Sequence, residues 1–201
     1  GKKGVMGIKF FYRDVQDLSE VYNTGTEFEG EDLLSARNTG DGKVYGVEFD
    51  LSTPLSAFGL PNTGVFYNYS WLDSSIDDAF GDRRFNNQAD YVLNAGFIHD
   101  IKSWGASFGA SYRKQGDAFS RIVGEEVKTT YDGDLEMFVE KHFGDRFTLR
   151  FTGSNLLDVE KTEYFHKFLN GGDQTDRIYD EYEIERETSG PVFQVVGRYA
   201  F

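Results

Sequence analysis

Four patterns in the chain use residue types that do chemistry. Gly105-Ala-Ser107-Phe-Gly109 has the G-x-S-x-G spacing that exposes a serine nucleophile when it sits on a strand-to-helix elbow. His99, His142 and His166 supply imidazoles of the kind that bind a metal. Carboxylates crowd three stretches. One holds Glu27, Glu29, Glu31 and Asp32, a second holds Asp73, Asp77, Asp78 and Asp82, and a third runs from Asp158 to Glu187 with ten acidic and four basic residues. Clustered carboxylate oxygens suit a hard cation such as Ca²⁺ or Mg²⁺, and Asp73, Asp77, Asp78 and Asp82 are the candidates of that kind. The plainer use of such charge is solubility and mutual repulsion at a surface. The fourth pattern is a set of rings in polar stretches: Phe80, Phe85, Phe119, Tyr164, Phe165, Phe168 and Tyr179. Rings placed there are candidates for ligand contact, or they pack one loop on another.

The surrounding elements decide which of these patterns can act. Aromatic and aliphatic residues recur at period two, the periodicity of a strand. Ile8, Phe10 and Tyr12 alternate with Lys9, Phe11 and Arg13; Tyr45, Val47, Phe49 and Leu51 alternate with Val44, Gly46, Glu48 and Asp50. The same pattern recurs over 64–72, 91–98, 104–113, 134–140, 147–152 and 192–201, which gives eight strands and no helix. Ser107 falls in the middle of one of them, where no elbow can form, so no catalytic residue is expected and small inward side chains account for the motif. The histidines are scattered without metal-ligand spacing. Asn68-Tyr-Ser70 fits a glycosylation sequon but also lies within a strand. No phosphate loop or dinucleotide fingerprint occurs, and no cofactor is expected.

The connections alternate in length. Short links fall near 52–62, 101–103 and 143–146, and long polar links near 23–38, 73–89, 116–126 and 158–190. Antiparallel neighbours joined in this way make an up-and-down meander with one plain end and one elaborated end. Glu140 and Arg150, flanking the turn at 143–146, should be cross-strand partners. Tyr182, Ile184 and Arg186 alternate out of phase with Phe193, Val195 and Tyr199, which predicts a bulge or bend at Ser189-Gly-Pro191.

Composition narrows the class. The 201 residues carry a net charge of −13, with 19 Phe, 12 Tyr and no Cys. A polyanion is a poor partner for nucleic acid, and the lack of Cys excludes disulfides and thiolate chemistry. Mean hydropathy is −0.51, and no run of about 18 apolar residues is present to make a transmembrane helix. The opening Gly1-Lys-Lys-Gly-Val-Met lacks the apolar core of a signal peptide. The rings need a burial site that this profile does not offer, unless one strand face meets lipid. The other face mixes small residues with Lys9, Arg13, Glu48, Asp50, Arg113, Glu140, Arg150 and Arg198, both signs together, as in the wet lumen of a membrane barrel. Rings also gather at both strand ends, with Trp104, Phe143, Phe147, Tyr199 and Phe201 at one and Tyr12, Tyr69, Trp71 and Tyr112 at the other. Two aromatic girdles match the two lipid–water interfaces. The expected fold is therefore all-β, an antiparallel up-and-down transmembrane β-barrel.

Leu149-Arg-Phe-Thr-Gly-Ser-Asn-Leu-Leu-Asp158, followed by Lys161, Glu163 and Tyr164, resembles the penultimate-strand signature of the TonB-dependent receptor family of Gram-negative outer membranes. Gly46-Val-Glu-Phe-Asp-Leu51, Asn68-Tyr-Ser-Trp71 and Asn94-Ala-Gly-Phe-Ile-His99 resemble earlier strands of that barrel. Tyr199 and Phe201 resemble the terminal aromatic signal that such barrels present to the barrel-assembly machinery. The resemblance implies that residues 1–201 are the C-terminal part of a 22-stranded barrel, a size known for such transporters. About 14 further strands (22 − 8) and an N-terminal plug would lie elsewhere. It also implies an outer-membrane location, contact with outer-membrane lipid and lipopolysaccharide, and coupling through the plug to an inner-membrane energy complex. The implied activity is energised uptake of a nutrient complex (siderophore, haem, cobalamin or oligosaccharide) captured on extracellular loops, not enzyme catalysis. The alternative is a self-contained eight-stranded barrel with a structural or adhesive role.

Overall fold

The computed structural model describes residues 4–78 and 80–201; the opening stretch 1–3, residue 79 and the side chains of Glu31 and Asp32 lie outside the described residues. Among the described residues thirteen strands follow one another: β1 (Val5–Phe28), β2 (Glu31–Leu55), β3 (Leu60–Asp78), β4 (Gly81–Arg83), β5 (Tyr91–Ile101), β6 (Ala106–Gln115), β7 (Ala118–Ile122), β8 (Glu125–Tyr131), β9 (Asp134–Phe143), β10 (Phe147–Ser154), β11 (Glu160–Lys167), β12 (Glu181–Thr188) and β13 (Val192–Tyr199). A short helix, α1 (Gly171–Asp176), precedes β12. The alternating segments read from the sequence are the eight strands of one antiparallel sheet in the order β1-β2-β3-β5-β6-β9-β10-β13, with β4 added to β3. This wall is an up-and-down meander and a barrel segment left open, with β1 and β13 as its two edges.

Within the wall the pairings keep the two faces separate, the register shifts lying beyond Val15 in the β1–β2 pair and at Leu55 in the β2–β3 pair. Phe10 pairs with Val47, Val47 with Trp71, and Trp71 with Tyr91, all on the aromatic face. Val139 pairs with both Phe108 and Phe151, and Phe151 with Val195, on the same face. Rings there meet across strands: Tyr45 stands edge-on to Trp71 at 6.1 Å, and Phe151 stacks on Phe193 at 5.9 Å. On the opposite face three large rings need a separate account. Phe11, Phe66 and Phe138 each lie across from a glycine, respectively Gly46, Gly96 and Gly109. A methyl group at Gly96 would stand 2.5 Å from the Phe66 ring, so the ring occupies the space that a side chain would need. An aromatic laid over a cross-strand glycine covers exposed backbone and pins the register.

Links and strands differ from expectation at the elaborated end. The stretch 23–38, expected as a loop, continues β1 and β2 as a long hairpin. Its turn is Glu29 and Gly30, both at positive φ (56° and 87°), as a type I′ turn requires. Three more expected loops contain strands, and β7, β8, β11 and β12 build a second sheet in the order β12-β11-β8-β7. The expected bulge at Ser189-Gly-Pro191 is a change of sheet: β12 ends in the small sheet at Thr188, and the chain crosses Gly190 at φ 69° to enter the wall at Val192. The expected absence of helix fails at α1 and, among the described residues, at two single 3-10 turns, Ser56–Phe58 and Lys102–Trp104. Asn170 caps α1 by accepting from the Asp173 N–H at 3.0 Å.

The glycine–aromatic pairs carry a testable consequence. Gly96→Val forces Phe66 aside and should lower wall stability by about 1–3 kcal/mol, the usual cost of overpacking. The loss should show as a lower temperature for the mobility shift between folded and unfolded protein on a gel. An unchanged shift temperature would refute the pinning role of the pair.

Candidate functional site

The site is built where the wall gives way to the small sheet. Asn155 follows β10 at φ 53°, a left-handed position that asparagine tolerates better than most residues. From there its side chain holds three segments together. The Oδ1 accepts from the Val159 N–H at 2.7 Å, and the Nδ2 donates to the Gly190 carbonyl at 2.9 Å and the Ser189 hydroxyl at 3.1 Å. Its own backbone N–H donates to the Asp134 carboxylate at 3.2 Å. Asp158, the last residue of the Asn-Leu-Leu-Asp run, repeats the left-handed backbone at φ 50°. This corner lines a cleft of about 760 Å³ shared with Arg113 and Asp134 of the wall and with Lys161, Arg186 and Glu187 of the small sheet.

The wall register places Lys9, Arg13, Glu48, Asp50, Arg113, Glu140, Arg150 and Arg198 on one face, opposite the aromatic one. Lys9 pairs with Glu48 at 3.0 Å, and Asp50 accepts from the Asn68 amide at 2.6 Å. Arg113 reaches Asp134 at 3.4 Å, and Arg150 reaches Glu140 at 3.8 Å, the two being direct register partners. Arg150 also lies 3.9 Å over the Phe138 ring, and Arg13 lies 5.7 Å over Phe11. Arg198 is the register partner of Thr148. At the end of the wall, Tyr199 stacks on a fully exposed Phe201.

Beyond the wall, buried charge holds the elaborated end together. Arg83, with 6% of its side chain exposed, donates to Glu20 at 2.5 Å and to Asp78 at 2.6 Å. Arg121 completes the knot by donating to both Asp78 oxygens, at 2.9 and 3.1 Å, and it lies 5.5 Å over the Phe80 ring. Asn86 adds a bond from its backbone N–H to Glu20 and a reciprocal pair with the Arg121 backbone. One cluster thus ties β1, β3, β4 and β7. Burial alone would raise the Asp78 and Glu20 carboxyls. Hydrogen bonds and charge from Arg83, joined at Asp78 by Arg121 and the Phe80 N–H, outweigh burial and hold both below the ordinary carboxylate range. A second clamp fixes α1. Gln174 is 2% exposed, accepts from the Gly124 N–H at 3.0 Å and donates to the Ile122 carbonyl at 3.1 Å. Beside it Arg177 donates to both oxygens of a buried Glu126, at 2.7 and 2.8 Å.

The structure separates the ring candidates. Phe80 packs in the ion knot, and Phe85 lies over Gly42. Phe168 is buried, with Tyr179 at 5.1 Å and Arg177 over its ring. Phe119 and Tyr164 both pair with Lys128 and so share one face of the small sheet, while Phe165, partner of Val127, takes the other. Tyr179 is exposed and stands 5.1 Å from His166, which also stacks on Tyr182. None of these rings lines the 760 Å³ cleft. The four aspartates do not converge either. Asp73 accepts from Tyr45 and pairs with Arg84, Asp78 belongs to the arginines, Asp82 accepts from Ser75, and Asp77 is exposed. Among the described residues no group of three or more His, Asp or Glu could hold a metal ion. Sequence reading missed Glu20, Arg83, Arg121, Glu126, Gln174 and Arg177. The available signal was an Arg83-Arg84 pair set among Asp77, Asp78 and Asp82.

A family model described as TonB dependent receptor-like, beta-barrel matches residues 2–183. No curated protein matches the chain, and no solved structure does.

The knot predicts a local failure. Asp78→Asn leaves two buried guanidiniums short of a partner and should cost about 3–5 kcal/mol, as for other broken buried pairs. Trypsin should then cut at Arg83, Arg84 and Arg121 while the wall stays intact. Because the folded pKa values of Glu20 and Asp78 are depressed, their stabilisation is present above the ordinary carboxylate range and is lost as pH falls through the folded values. Tryptic protection measured after incubation at falling pH should decline over that acid range; protection that is flat with pH, or unchanged in the variant, would contradict this role.

Proposed function

The chain belongs to the TonB dependent receptor-like β-barrel family, and on that premise we propose that it forms the C-terminal wall and extracellular end of an outer-membrane receptor for energised nutrient uptake. The observation that carries the reading is the segregation of the wall. Phe10, Val139, Phe193 and Val195 are more than half exposed on one face. The paired charges occupy the other face. A continuous apolar face of this kind marks an interaction with lipid or protein. Lipid on the aromatic face and water on the charged face satisfy both.

The open edges of β1 and β13 support a segment of a larger barrel over a self-closed eight-stranded one, because unpaired backbone in hydrocarbon costs several kcal/mol per group by order of magnitude. In this orientation the short turns lie at the periplasmic end, and the small sheet with its corner cleft lies outside the cell. The cleft joins the charged face of the wall to the small sheet through Arg113, Asp134 and Lys161. It is the place where a captured nutrient complex meets the lumen. Siderophore, haem, cobalamin and oligosaccharide all remain within the substrate class, and coupling to the inner membrane runs through the plug.

Spin labels test the placement. Labels at Val139 and Val195 should relax with oxygen, which concentrates in lipid, and labels at Ser70 and Ser111 with a water-soluble nickel chelate. Equal access of the chelate to all four would overturn it. Uptake of the four labelled nutrient classes should depend, for one of them, on both the receptor and the proton gradient; independence from both in every class would refute the function.

A further inference from the structure

A second cavity, of about 490 Å³, lies between the outer part of the β1–β2 hairpin and the β7–β8 hairpin. Its size is that of a small-molecule site. Leu18, Val21, Leu34, Phe85 and Ile122 give it apolar walls, and Glu125 also lines it. The other acid on its margin, Glu20, is neutralised by Arg83 in the ion knot. Glu125 differs. Among the described residues its carboxylate makes no hydrogen bond and no ion pair. Its register partner Lys167 is already committed to Glu183 at 2.8 Å and Glu181 at 3.6 Å. Burial pushes the Glu125 carboxyl above its ordinary value, opposed by the charge of Lys167 and reinforced by that of Glu183. A half-buried carboxylate without a partner is costly, and an arriving cation relieves that cost.

We propose that this cavity binds an organic monocation, an arylalkyl ammonium group whose charge pairs with Glu125 and whose apolar body lies among Leu18, Ile122 and Phe85. Charge complementarity selects the ammonium end. The aromatic and aliphatic walls reward an apolar body, and Ser19, Asn86, Asn87 and Ser120 complete the lining with neutral polar groups. The site goes beyond the uptake reading and does not depend on it, since binding here needs neither transport nor a membrane potential.

Calorimetric titration of the intact receptor in detergent tests it with two probes of matched shape, phenethylammonium and neutral 2-phenylethanol. The ammonium should bind at least about tenfold more tightly than the alcohol, which is the worth of a single favourable charge contact. Glu125→Gln should remove that preference while leaving the alcohol unchanged and the melting temperature no lower. Ile122→Trp, which fills the cavity and keeps the carboxylate, should abolish binding of the ammonium. Equal binding of the two probes, an undiminished preference in Glu125→Gln, or retained binding in Ile122→Trp would each overturn the proposal.

Discussion

Everything in this molecule depends on an antiparallel register that keeps two faces apart across the eight strands of the wall, its shifts falling beyond Val15 in the β1–β2 pair and at Leu55 in the β2–β3 pair. Side chains alternate with period two, so a slip of one residue in any pair would send the rings of that strand to the charged face and its charges among the rings. The pairings hold from Phe10–Val47 at one edge to Phe151–Val195 at the other. Devices that fix this register recur along the wall. Aromatics cover cross-strand glycines on one face, and ring pairs meet on the other. Cross-strand charges such as Lys9–Glu48 and Arg150–Glu140 match only when the strands are aligned.

The elaborated end follows a different rule. Few apolar side chains are buried; among the described residues they are Ile76, Ala118 and Phe168. Cohesion comes instead from buried polar groups: Arg83 between Glu20 and Asp78, Glu126 under Arg177, and Gln174 bonded to the β7–β8 turn. Such contacts are directional, and each is costly to leave unmade. They hold long extensions of the strands in fixed places, and so fix the cleft beside Asn155 and the cavity beside Glu125. A purely apolar core could not have left a carboxylate exposed to a cavity without also opening that core to water.

Legibility in the sequence tracks these two rules. All eight wall strands could be read because lipid-facing alternation is written locally, as in Tyr67, Tyr69 and Trp71. The Glu140–Arg150 pairing was legible for the same reason, since only a short turn separates the two strands. The strands of the small sheet escaped. Glu-Lys-Thr-Glu-Tyr-Phe-His-Lys in β11 has no clean period, because its two faces meet charge and ring alike. β12 does alternate, as Glu-Tyr-Glu-Ile-Glu-Arg-Glu-Thr, and its phase break against β13 showed in the sequence, but a break alone cannot tell a bulge from a change of sheet.

The sequence by itself determined the wall: its strand count, its two faces, its membrane-type chemistry and its likeness to a family. Periodicity does this because each residue reports its own environment. Only the tertiary structure decided which loop residues act together. Glu20 meets Arg83 across 63 positions, and Gln174 meets Glu126 across 48. No local pattern encodes such distances. Partners of that kind are chosen when strand extensions of particular length and twist bring two buried polar groups within reach, and among the described residues the same geometry left the Glu125 carboxylate without one.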